Sequence, residues 1–598
     1  MAIVRLSKVT LCGTANQRDR VLDGLQDLGC LHLVDISEQA SEPLPKSNVS
    51  SETHQALKYL RSCPVRRRPM RDRSEFRLTE VVQETLCIER RQEQLMQQRD
   101  ELAAAIKGLE PWGNFQYPLP SELLDWRLWF YVLPSHRLRE IAARDEIWQV
   151  VSRDHQNVYL VVVSVAEPQG MPISRVDLDH RPLADLRREL EHVDSELDEL
   201  HWQRVALTRW IQLLKSSIAQ ADDQTAWQIA VRRSLGDRSL FAVQGWVPVR
   251  AEQQMRSFAQ QHDLALMLAR PDKHDKPPTL LENPPLTSGG QDAVTFFTIP
   301  AYNAWDPSSI VFFSFSLFFA MIMADAGYAL LLGVLLLLAW GRLGVSAAGQ
   351  RIRKLAVSMV LMSLLYGVLI GSYFGRLPAA GTWPESLMVI DATDTDLMMR
   401  ISIMVGVLHL VLANLAVAWQ LRWSVMMLAS LGWAAVLLGG LAFGLGKTSL
   451  PENGFLIQSG MGMLWGGTIS VVLFSSSRSL WTWRPSAHFW RLLEGLKALV
   501  NVSRAFGDVL SYLRLFALGL ATAQLAAAFN ELTAKAGSHA GTGGLLAVLV
   551  VLFGHGLNLS LGVMSGVVHG LRLNCIEFFG WGLPEEGYPF QPFCRKAK

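Results

Sequence analysis

The residues with the clearest chemical potential are polar and charged side chains within two long apolar segments near the end of the chain. The first, RAFGDVLSYLRLFALGLATAQLAAAFN, has Arg514 inside its apolar run and also contains Asp508, Gln524 and Asn530. A charge within a membrane span is costly and usually marks a functional site. Because a guanidinium keeps its own proton, it can attract and release a partner's carboxylate without carrying the transported ion. Arg514 is therefore suited to ion transport.

The second segment, HGLNLSLGVMSGVVHGLRLNCIEFF, carries a polar stripe. At ~100° per residue its members fall within about 60° of one another on a helix: Asn558, Ser565, His569 and Arg572. Glu577 follows just beyond the stripe. The residues alone leave open a second interpretation, in which the arginines reach lipid headgroups and the stripe only bonds neighbouring helices.

The composition indicates that these segments lie in a membrane. The 598 residues are 50% hydrophobic and only 18% charged, and the mean hydropathy is +0.18, which is too apolar for an ordinary soluble protein. Lys+Arg 56 against Asp+Glu 54 leaves no excess charge for binding nucleic acid. The six cysteines form no CxxC pair and have no histidine at metal spacing, so neither a disulfide framework nor a metal site is predicted, and no cofactor is expected.

Eight apolar runs in the second half are candidates for crossing a hydrocarbon core of ~30 Å. They cover about 309–324, 326–341, 355–374, 401–419, 424–446, 460–477, 507–530 and 545–571. The first two are short and compatible with a bent hairpin. We therefore predict an all-α polytopic membrane domain of about eight transmembrane helices over 306–598.

The charges of the connecting loops predict the orientation of the chain. The loops after the second and sixth spans are rich in Arg and Lys, as is the end of the chain, whereas the loop after the third span carries Glu385, Asp391, Asp394 and Asp396. Positive loops stay in the cytoplasm. Both termini are therefore predicted to be cytoplasmic, and residues 1–305 to form a cytoplasmic domain.

Two stretches of this cytoplasmic half have the heptad spacing of coiled-coil helices. Apolar residues recur every seven positions from Val81 to Leu109, and alternate at four and three from Leu186 to Ile218, broken only by Arg204. These patterns predict a long antiparallel coiled-coil hairpin with arms at about 78–110 and 183–222. A homodimeric coiled coil remains the alternative on this spacing alone.

An α/β lobe is predicted at each end of the hairpin. The distal lobe, 121–165, contains the strand-like segments WRLWFYVL and NVYLVVVSV and, between them, the helical pattern SHRLREIAARDEIW. The proximal lobe combines 1–40 with 225–270 in a strand, helix and strand pattern. A long rod beside a membrane domain usually spans the distance to a partner.

Motifs along nearly the whole chain carry a resemblance to a known family. The segment SYLRLFALGLATAQLA (511–526) resembles the seventh-span signature of the large membrane subunit of rotary V-type and A-type ATPases, called subunit I in bacteria and archaea and subunit a in eukaryotes. Further similar segments are MAIVRLSKVTLCG, GWVP, PPTLLENP, IPAYNAWDPSS, MIMADAGYALLL and SLLYGVLIGSYFG.

The resemblance implies a stator and ion-channel subunit. The membrane half would face a rotating ring of small subunits, each with an ion-binding carboxylate, and supply two offset half-channels. Arg514 matches the arginine that meets this carboxylate, Arg572 the second arginine, and His569 the histidine three residues before it. The subunit would lie in a bacterial or archaeal plasma membrane.

The resemblance also implies the partners of the cytoplasmic half. This half would be a stator arm that binds peripheral-stalk subunits, with the central stalk and catalytic head contacted indirectly. The chain itself would not be an enzyme, because nucleotide chemistry would belong to other subunits. Gly446-Lys447-Thr448 looks like the end of a P-loop, but Leu441 stands where that motif needs glycine, so no nucleotide site is predicted.

The sequence departs from the family pattern at the site itself. Thr522 and Gly562 stand where many eukaryotic relatives have His and Glu, and Ala324 where Gly usually precedes Asp325. The lining of the half-channels is therefore not carried over, and four residues are candidates on their own chemistry only: Gln524, Asn558, Ser565 and Glu577. The choice between H⁺ and Na⁺ stays open.

Two functions of other classes are alternatives. A self-contained secondary transporter usually has an internal repeat between its membrane halves, and none is evident. A membrane-anchored coiled-coil scaffold would explain the rod but would leave Arg514 and the polar stripe without a role.

Overall fold

The computed structural model describes most of the chain. The described residues are 3–36, 51–115, 118, 125–138, 141, 146–169, 171, 173, 175–179, 181–236, 239–272, 274–391, 394–448, 452–476, 478, 485–538, 543–583 and 585–596. Parts of the predicted proximal lobe (37–40) and of the predicted distal helix (139–140 and 142–145) lie outside them, as does Ser449 beside the P-loop-like segment.

Contacts between residues divide the chain into two compact units. The membrane unit consists of Met1–Leu11 and Gln244–Pro592, and the arm unit of Cys12–Val243 and Phe593–Lys598. The sequence predicted that the membrane domain begins at 306. A division by contacts does not locate the membrane, so this boundary stays a prediction.

The first half of the chain is α/β. Its strands are β1 (Leu6–Thr14), β2 (His32–Val34), β3 (Arg127–Pro134), β4 (Ile147–Arg153), β5 (Asn157–Ser164), β6 (Leu235–Gly236), β7 (Leu240–Pro248) and β8 (Ala265–Ala269). Its helices are α1 (Arg18–Leu28), α2 (Ser51–Arg61), α3 (Leu78–Leu109), α4 (Leu183–Leu207), α5 (Ile211–Arg233), α6 (Glu252–Gln261) and α7 (Ser288–Phe297). An N-terminal α/β fold is thus confirmed.

Two sheets organise these strands. The larger has the order β2-β7-β1-β8, with β6 added beside β7. The smaller has the order β3-β5-β4 and is antiparallel, with Tyr131 opposite Leu160 and a register shift between Val150 and Ser152. Ile147 and Trp148, which end the predicted distal helix, instead begin β4. This part of the prediction is wrong because alternating burial along IWQVVSR is a strand pattern that was assigned to the helix before it.

The long helices α3 and α4 pack against each other along the predicted heptad positions. Their shared core contains Leu95, Leu102, Leu109, Leu186 and Val193, all nearly or fully buried. Arg91 pairs with Glu196 at 2.7 Å and Arg187 with Glu110 at 3.1 Å. Since the earlier residue of one helix meets the later residue of the other, the two helices run antiparallel. The supercoiled knobs-into-holes packing of a coiled coil stays a prediction.

The break in the second heptad pattern has a local cause. The guanidinium of Arg204 lies over the ring of Tyr59, with its carbon 3.8 Å from the ring centroid. Its Nη2 donates to the Tyr59 carbonyl at 2.6 Å and to the Ser62 hydroxyl at 2.7 Å. Arg204 therefore connects α4 to α2, and an apolar residue there would lose these bonds.

The second half of the chain is helical. Its helices are α8 (Ser308–Met323), α9 (Ala326–Leu343), α10 (Ala347–Ile370), α11 (Trp383–Ser386), α12 (Thr395–Gln420), α13 (Met427–Thr448), α14 (Gly454–Phe474), α15 (Pro485–Ala498), α16 (Asn501–Ser511), α17 (Leu513–Gly537), α18 (Gly543–Arg572) and α19 (Phe579–Gly582). A π-helical turn, Leu573–Phe578, joins α18 to α19.

Seven helical segments among the described residues are long and apolar enough to cross a membrane, and α8 is a shorter apolar helix of 16 residues. Each of the eight predicted spans falls on one of these segments. The sixth of these segments runs from His488 to Gly537, through α15, α16 and α17, and the seventh from Gly543 to Gly582. The protein is a multi-pass membrane protein whose helix count agrees roughly with the prediction.

A tight turn joins α8 to α9 and is held by Asp325. The carboxylate of Asp325 accepts from Tyr328 N, which caps α9, and from the Ser372 hydroxyl at 2.7 Å. It also accepts from Phe374 N and Gly375 N. Ala324 adopts a left-handed φ of 45°, a conformation that favours glycine. This geometry explains why glycine suits that position and shows that alanine is accommodated there.

Candidate ion-translocation site

Arg514 lies in the first turn of α17, where the helix restarts after Tyr512. Its guanidinium is held from one side only. Nη2 donates to the Ser511 hydroxyl at 3.2 Å, whereas Nη1 is shielded from solvent and has no partner among the described residues. An unpaired guanidinium nitrogen within a membrane helix is costly. Arg514 as a whole is only half-buried, so part of its side chain remains accessible to an anionic partner from outside this chain.

Glu577 is joined to Arg514 through the same hydroxyl. Ser511 donates to Oε1 of Glu577, and Oε2 is buried without a partner among the described residues. Glu577 itself is only 3% exposed. The sequence predicted Glu577 as a separate residue beyond the stripe, and Ser511 was not predicted at all. No spacing rule signals this contact, since it joins residues 66 positions apart.

The π turn places Glu577 at this position. Five residues after Arg572 on an α-helix would point about 140° away from it, but a π turn holds more residues per turn and reduces this angle. The turn is fixed by Asn574, which donates to the Gly570 carbonyl at 2.9 Å and accepts from Ser314 of α8 at 2.6 Å. π turns in helices frequently occur at functional sites.

His569 and Arg572 lie near Arg514. Both arginines interact electrostatically with His569, and Arg514 does so with Arg572 and Glu577. Nδ1 of His569 is buried without a partner among the described residues, while Arg572 is exposed. Two cations on the packed helices α17 and α18 thus lie close together with one carboxylate. Their combined positive charge exceeds that of the single carboxylate and attracts a further anion.

Asn558 belongs to a different cluster. It is 1% exposed, and its Nδ2 donates to the Tyr328 hydroxyl and to the Thr522 carbonyl, both at 3.0 Å. The Tyr328 hydroxyl also bonds Nδ1 of His555 at 2.6 Å. At ~1.5 Å per residue, Asn558 is about 21 Å along α18 from Arg572, so the predicted stripe forms two sites.

Two predicted residues join neither cluster. Ser565 is half-buried between them, with no side-chain hydrogen bond among the described residues, and Gln524 on α17 is exposed.

Asn530, further along α17, donates to the Phe374 carbonyl at 2.7 Å. Asp508 accepts from the indole nitrogen of Trp581 at 2.7 Å and pairs with Arg504 at 3.4 Å.

The residues that depart from the eukaryotic pattern are neighbours. A Cβ added at Gly562 would lie 3.7 Å from Cγ2 of Thr522. The Thr522 hydroxyl bonds the carbonyls of Gly519 and Ile322. Gly562 lies one turn after Asn558 on α18, and the Thr522 carbonyl accepts from Nδ2 of Asn558, so this pair borders the Asn558 cluster.

Sequence reasoning missed a buried pair behind the site. The Tyr512 hydroxyl lies 2.8 Å from Nδ1 of His409 on α12, and the His409 ring stacks on Phe578 with centroids 4.2 Å apart. Nε2 of His409 has no partner among the described residues. The pair supports the π turn and the start of α17 from the core side. The isolated histidine in the fourth predicted span was the only sequence signal.

Relatives with curated names resemble the chain over most of its length. V-type ATP synthase subunit I of Chlamydia pneumoniae is 26% identical over 600 residues, with 86% of this chain and 85% of the relative covered. V-type ATP synthase subunit I 1 of Treponema pallidum (strain Nichols) is 27% identical, with 99% of each chain covered. The predicted resemblance to subunit I is confirmed.

Archaeal proteins show the same similarity. A-type ATP synthase subunit I of Pyrococcus horikoshii is 26% identical over 457 residues, with 73% of this chain and 65% of the relative covered. No protein-family model matches the chain. The crystal structure of the cytoplasmic N-terminal domain of subunit I, homolog of subunit a, of V-ATPase covers 44% of this chain and 99% of its own at 16% identity. Its TM-score of 0.23 supports no statement about a shared fold.

Proposed function

We propose that this protein is the stator and ion-channel subunit of a rotary V/A-type ATPase. The observation that carries the proposal is the half-free guanidinium of Arg514, with Nη2 on Ser511 and Nη1 unpaired. A carboxylate on a neighbouring ring of small membrane subunits would be the partner of this cation. The similarity to subunit I proteins supports the same assignment.

The arginine acts on the ring carboxylate by electrostatics. Proximity to a fixed positive charge favours the ionised form of a carboxylate. A carboxylate that reaches Arg514 therefore releases its ion there and takes up another when rotation carries it away. Because the guanidinium keeps its proton, ions do not pass directly from one half-channel to the other.

The two polar clusters of α18 are the proposed inner ends of the half-channels. The cluster of Glu577, His569 and Arg572 would serve one membrane side, and the cluster around Asn558 the other. Ser565 and Gln524 are proposed as further lining residues. The exposed apolar residues of α18, which include Leu549, Phe553 and Met564, provide a surface for the ring or for lipid.

The arm unit is the proposed stator arm. We assign residues 1–305 to the cytoplasm with both termini on that side, and the antiparallel α3 and α4 pair to a coiled-coil hairpin that resists torque. Its distal lobe would bind peripheral-stalk subunits, and the central stalk and catalytic head would be contacted indirectly. In this assignment the chain hydrolyses no nucleotide.

ATP-driven acidification of inverted vesicles tests the proposal. Arg514→Ala is expected to reduce acidification to background while the complex still co-purifies with its ring and ATPase head. Arg400→Ala is the matched control, since Arg400 is an exposed arginine at the start of α12 whose one side-chain bond among the described residues is to the Thr448 carbonyl, at 3.5 Å. Pumping by Arg514→Ala at the rate of this control would refute the proposed role, and sodium uptake assays with an uncoupler separate the two ions.

A further inference from the structure

His555 extends the polar stripe of α18 by one turn. At ~100° per residue it lies within about 60° of Asn558 on the helix surface. The distance from His555 to Arg572 is about 25 Å at ~1.5 Å per residue, which is close to the thickness of a hydrocarbon core. The histidine thus lies at the opposite end of the stripe from the Arg514 region.

The hydrogen bonds of the cluster allow a neutral His555 whose Nδ1 accepts a bond. Asn558 donates Nδ2 to the Tyr328 hydroxyl, so that oxygen already accepts one bond. In one arrangement that this contact allows, Tyr328 donates its own proton to Nδ1 of His555, 2.6 Å away. In this arrangement Nδ1 carries no proton and the neutral ring holds its proton on Nε2.

A second arrangement of the same groups accommodates one more proton. If Nδ1 of His555 is protonated, it donates to Tyr328, and the tyrosine proton then needs another acceptor. The amide oxygen of Asn558 is buried without a partner among the described residues. A rotation of this amide by about 180° exchanges its nitrogen and oxygen and supplies the acceptor, but it breaks the bond from Nδ2 to the Thr522 carbonyl. The cluster can therefore hold one more proton when the amide turns and the Asn558–Thr522 bond is exchanged for a bond from the Tyr328 hydroxyl.

Among the groups that face one another here, His555 is the one that binds the exchanged proton. Asp325 and Arg376 are the charged groups that interact with it, and Asp325 already accepts four bonds in the turn before α9. The aromatic rings of Tyr328 and Phe374 lie 5.8 and 5.9 Å from the imidazole, between centroids. Thr522 of α17 contributes only its carbonyl, to Asn558.

We propose that His555 is a proton-binding residue of the half-channel on the side of the membrane away from the cytoplasm, with Tyr328 and Asn558 as its positioning residues. This inference rests on the proposed function. It adds that the ion passing this point is a proton, which binds a nitrogen of the imidazole. The neutral imidazole gains one proton on Nδ1 and becomes an imidazolium, which returns to the neutral form by releasing one proton toward the rotating ring of small subunits, so no other reactant is consumed.

The test uses the intact complex in vesicles whose internal pH is set between about 5 and 8, where histidine normally changes charge. The initial rate of ATP-driven proton uptake is measured for wild type, His555→Gln and Tyr328→Phe. Glutamine keeps a hydrogen-bonding amide but binds no proton. Ser560→Ala, on an exposed part of the same helix, is the control.

We expect His555→Gln to slow pumping by about 10²-fold, the lower end of what a positioned proton-transfer group contributes, and to abolish the dependence on internal pH. Tyr328→Phe should retain a titration with a displaced midpoint. An unchanged rate and pH profile in His555→Gln would overturn the inference. If that variant does not assemble, an unchanged profile in Tyr328→Phe does so instead.

Arg514→Ala in the same vesicles separates the two proposals. Loss of pumping in Arg514→Ala together with wild-type behaviour of His555→Gln would remove only the role of His555. Pumping by Arg514→Ala would remove the proposed function itself. Uptake of sodium in place of protons by the wild-type complex would overturn the proton-binding role while leaving the rotary assignment intact.

Discussion

Glu577 and Arg514 are linked through one hydroxyl, the side chain of Ser511, which donates to the carboxylate and accepts from the guanidinium. The three residues come from the end of α16, the start of α17 and the π turn after α18. Because the carboxylate reaches the arginine only indirectly, the positive charge is positioned but not neutralised by direct pairing. It therefore remains available to an external anion.

Removing this hydroxyl should weaken ion transport without preventing assembly. Ser511→Ala removes the hydrogen bond from Arg514 Nη2 to the hydroxyl and leaves the buried Glu577 carboxylate without its bond from Ser511. Hydrogen bonds to charged groups contribute ~1.5–3 kcal/mol, so pumping should fall about tenfold or more if the bond serves the rate-limiting step. ATP-driven acidification by the co-purified complex measures this. Ser511→Thr should restore most of the rate, and equal rates for alanine and threonine would contradict the role of the hydroxyl.

Close packing at Gly367 should be essential for the turn that contains Asp325. A Cβ at Gly367 would approach the carbonyl carbon of Asp325 to 2.6 Å, whereas one at Gly341 on α9 would meet nothing within 4 Å. Gly367→Ala should therefore be destabilised by ~1–3 kcal/mol through overpacking, and Gly341→Ala should not. The thermal midpoint of the detergent-purified protein tests the difference. Identical midpoints for the two variants would show that the turn can move aside.

The antiparallel helix pair should depend on its buried leucines. Leu102 is 3% exposed in the shared core of α3 and α4. Leu102→Ala should cost about 2–5 kcal/mol, the range for truncating a buried leucine. Lys107→Ala on the exposed side of α3 is the control. Protease sensitivity of the arm, measured as the temperature rises, should show Leu102→Ala unfolding before Lys107→Ala. Equal resistance of the two variants would indicate that α3 and α4 do not form a stable core.

One ion pair should give the membrane unit a pH-dependent stability. Lys8 Nζ lies 2.8 Å from Asp275, and this bond, aided by the backbone N–H of Asp272, lowers the pKa of the Asp275 carboxyl. The stabilisation is present above the unfolded pKa of ~3.9 and is lost as the pH falls through the lower folded value. Asp275→Asn should therefore be less stable than wild type at neutral pH, with the gap closing below about pH 4. Thermal midpoints across pH measure this, and a gap that persists in acid would point to another cause.

Charge on the distal lobe should determine binding of the peripheral stalk. Arg127 and Arg153 are exposed on β3 and β4, so Arg127→Glu and Arg153→Glu change charge without disturbing a core. We expect these variants to lose peripheral-stalk subunits on co-purification, more strongly at raised salt because the exposed charges are screened. Arg256→Glu, exposed on α6, is the control. Retention of the stalk in the double variant would place its docking site elsewhere.

Much of the fold could be predicted because long apolar runs and heptads are strong, local signals. The span beginning near 326 and the helix α3 were located to within a few residues, whereas the predicted arm 183–222 covers α4 and the first half of α5. The strand β4 was missed because its alternation follows directly on a helical pattern. The sharp turn at Ala324 could not be deduced from residue type, since its φ of 45° is stabilised by Asp325 and by segments from α10 onward.

The site was predictable only in part. Arg514 and Glu577 were found because charges are rare within apolar runs, but their link through Ser511 depends on tertiary structure. Asn558 was grouped with His569 and Arg572 because helical angle alone ignores the ~1.5 Å rise per residue that separates them. His555 and Tyr328 were missed because a single histidine or tyrosine in an apolar run is usually a packing residue.

The π turn at Leu573–Phe578 also affects how sequences should be aligned. A π turn is equivalent to one residue inserted into an α-helix. A relative with an ordinary α turn here would be one residue shorter between Arg572 and the carboxylate. Its functional counterpart of Glu577 would then stand at the preceding alignment column, opposite Ile576. A glutamate displaced by one position in such a relative would therefore be an equivalent residue and not a lost one.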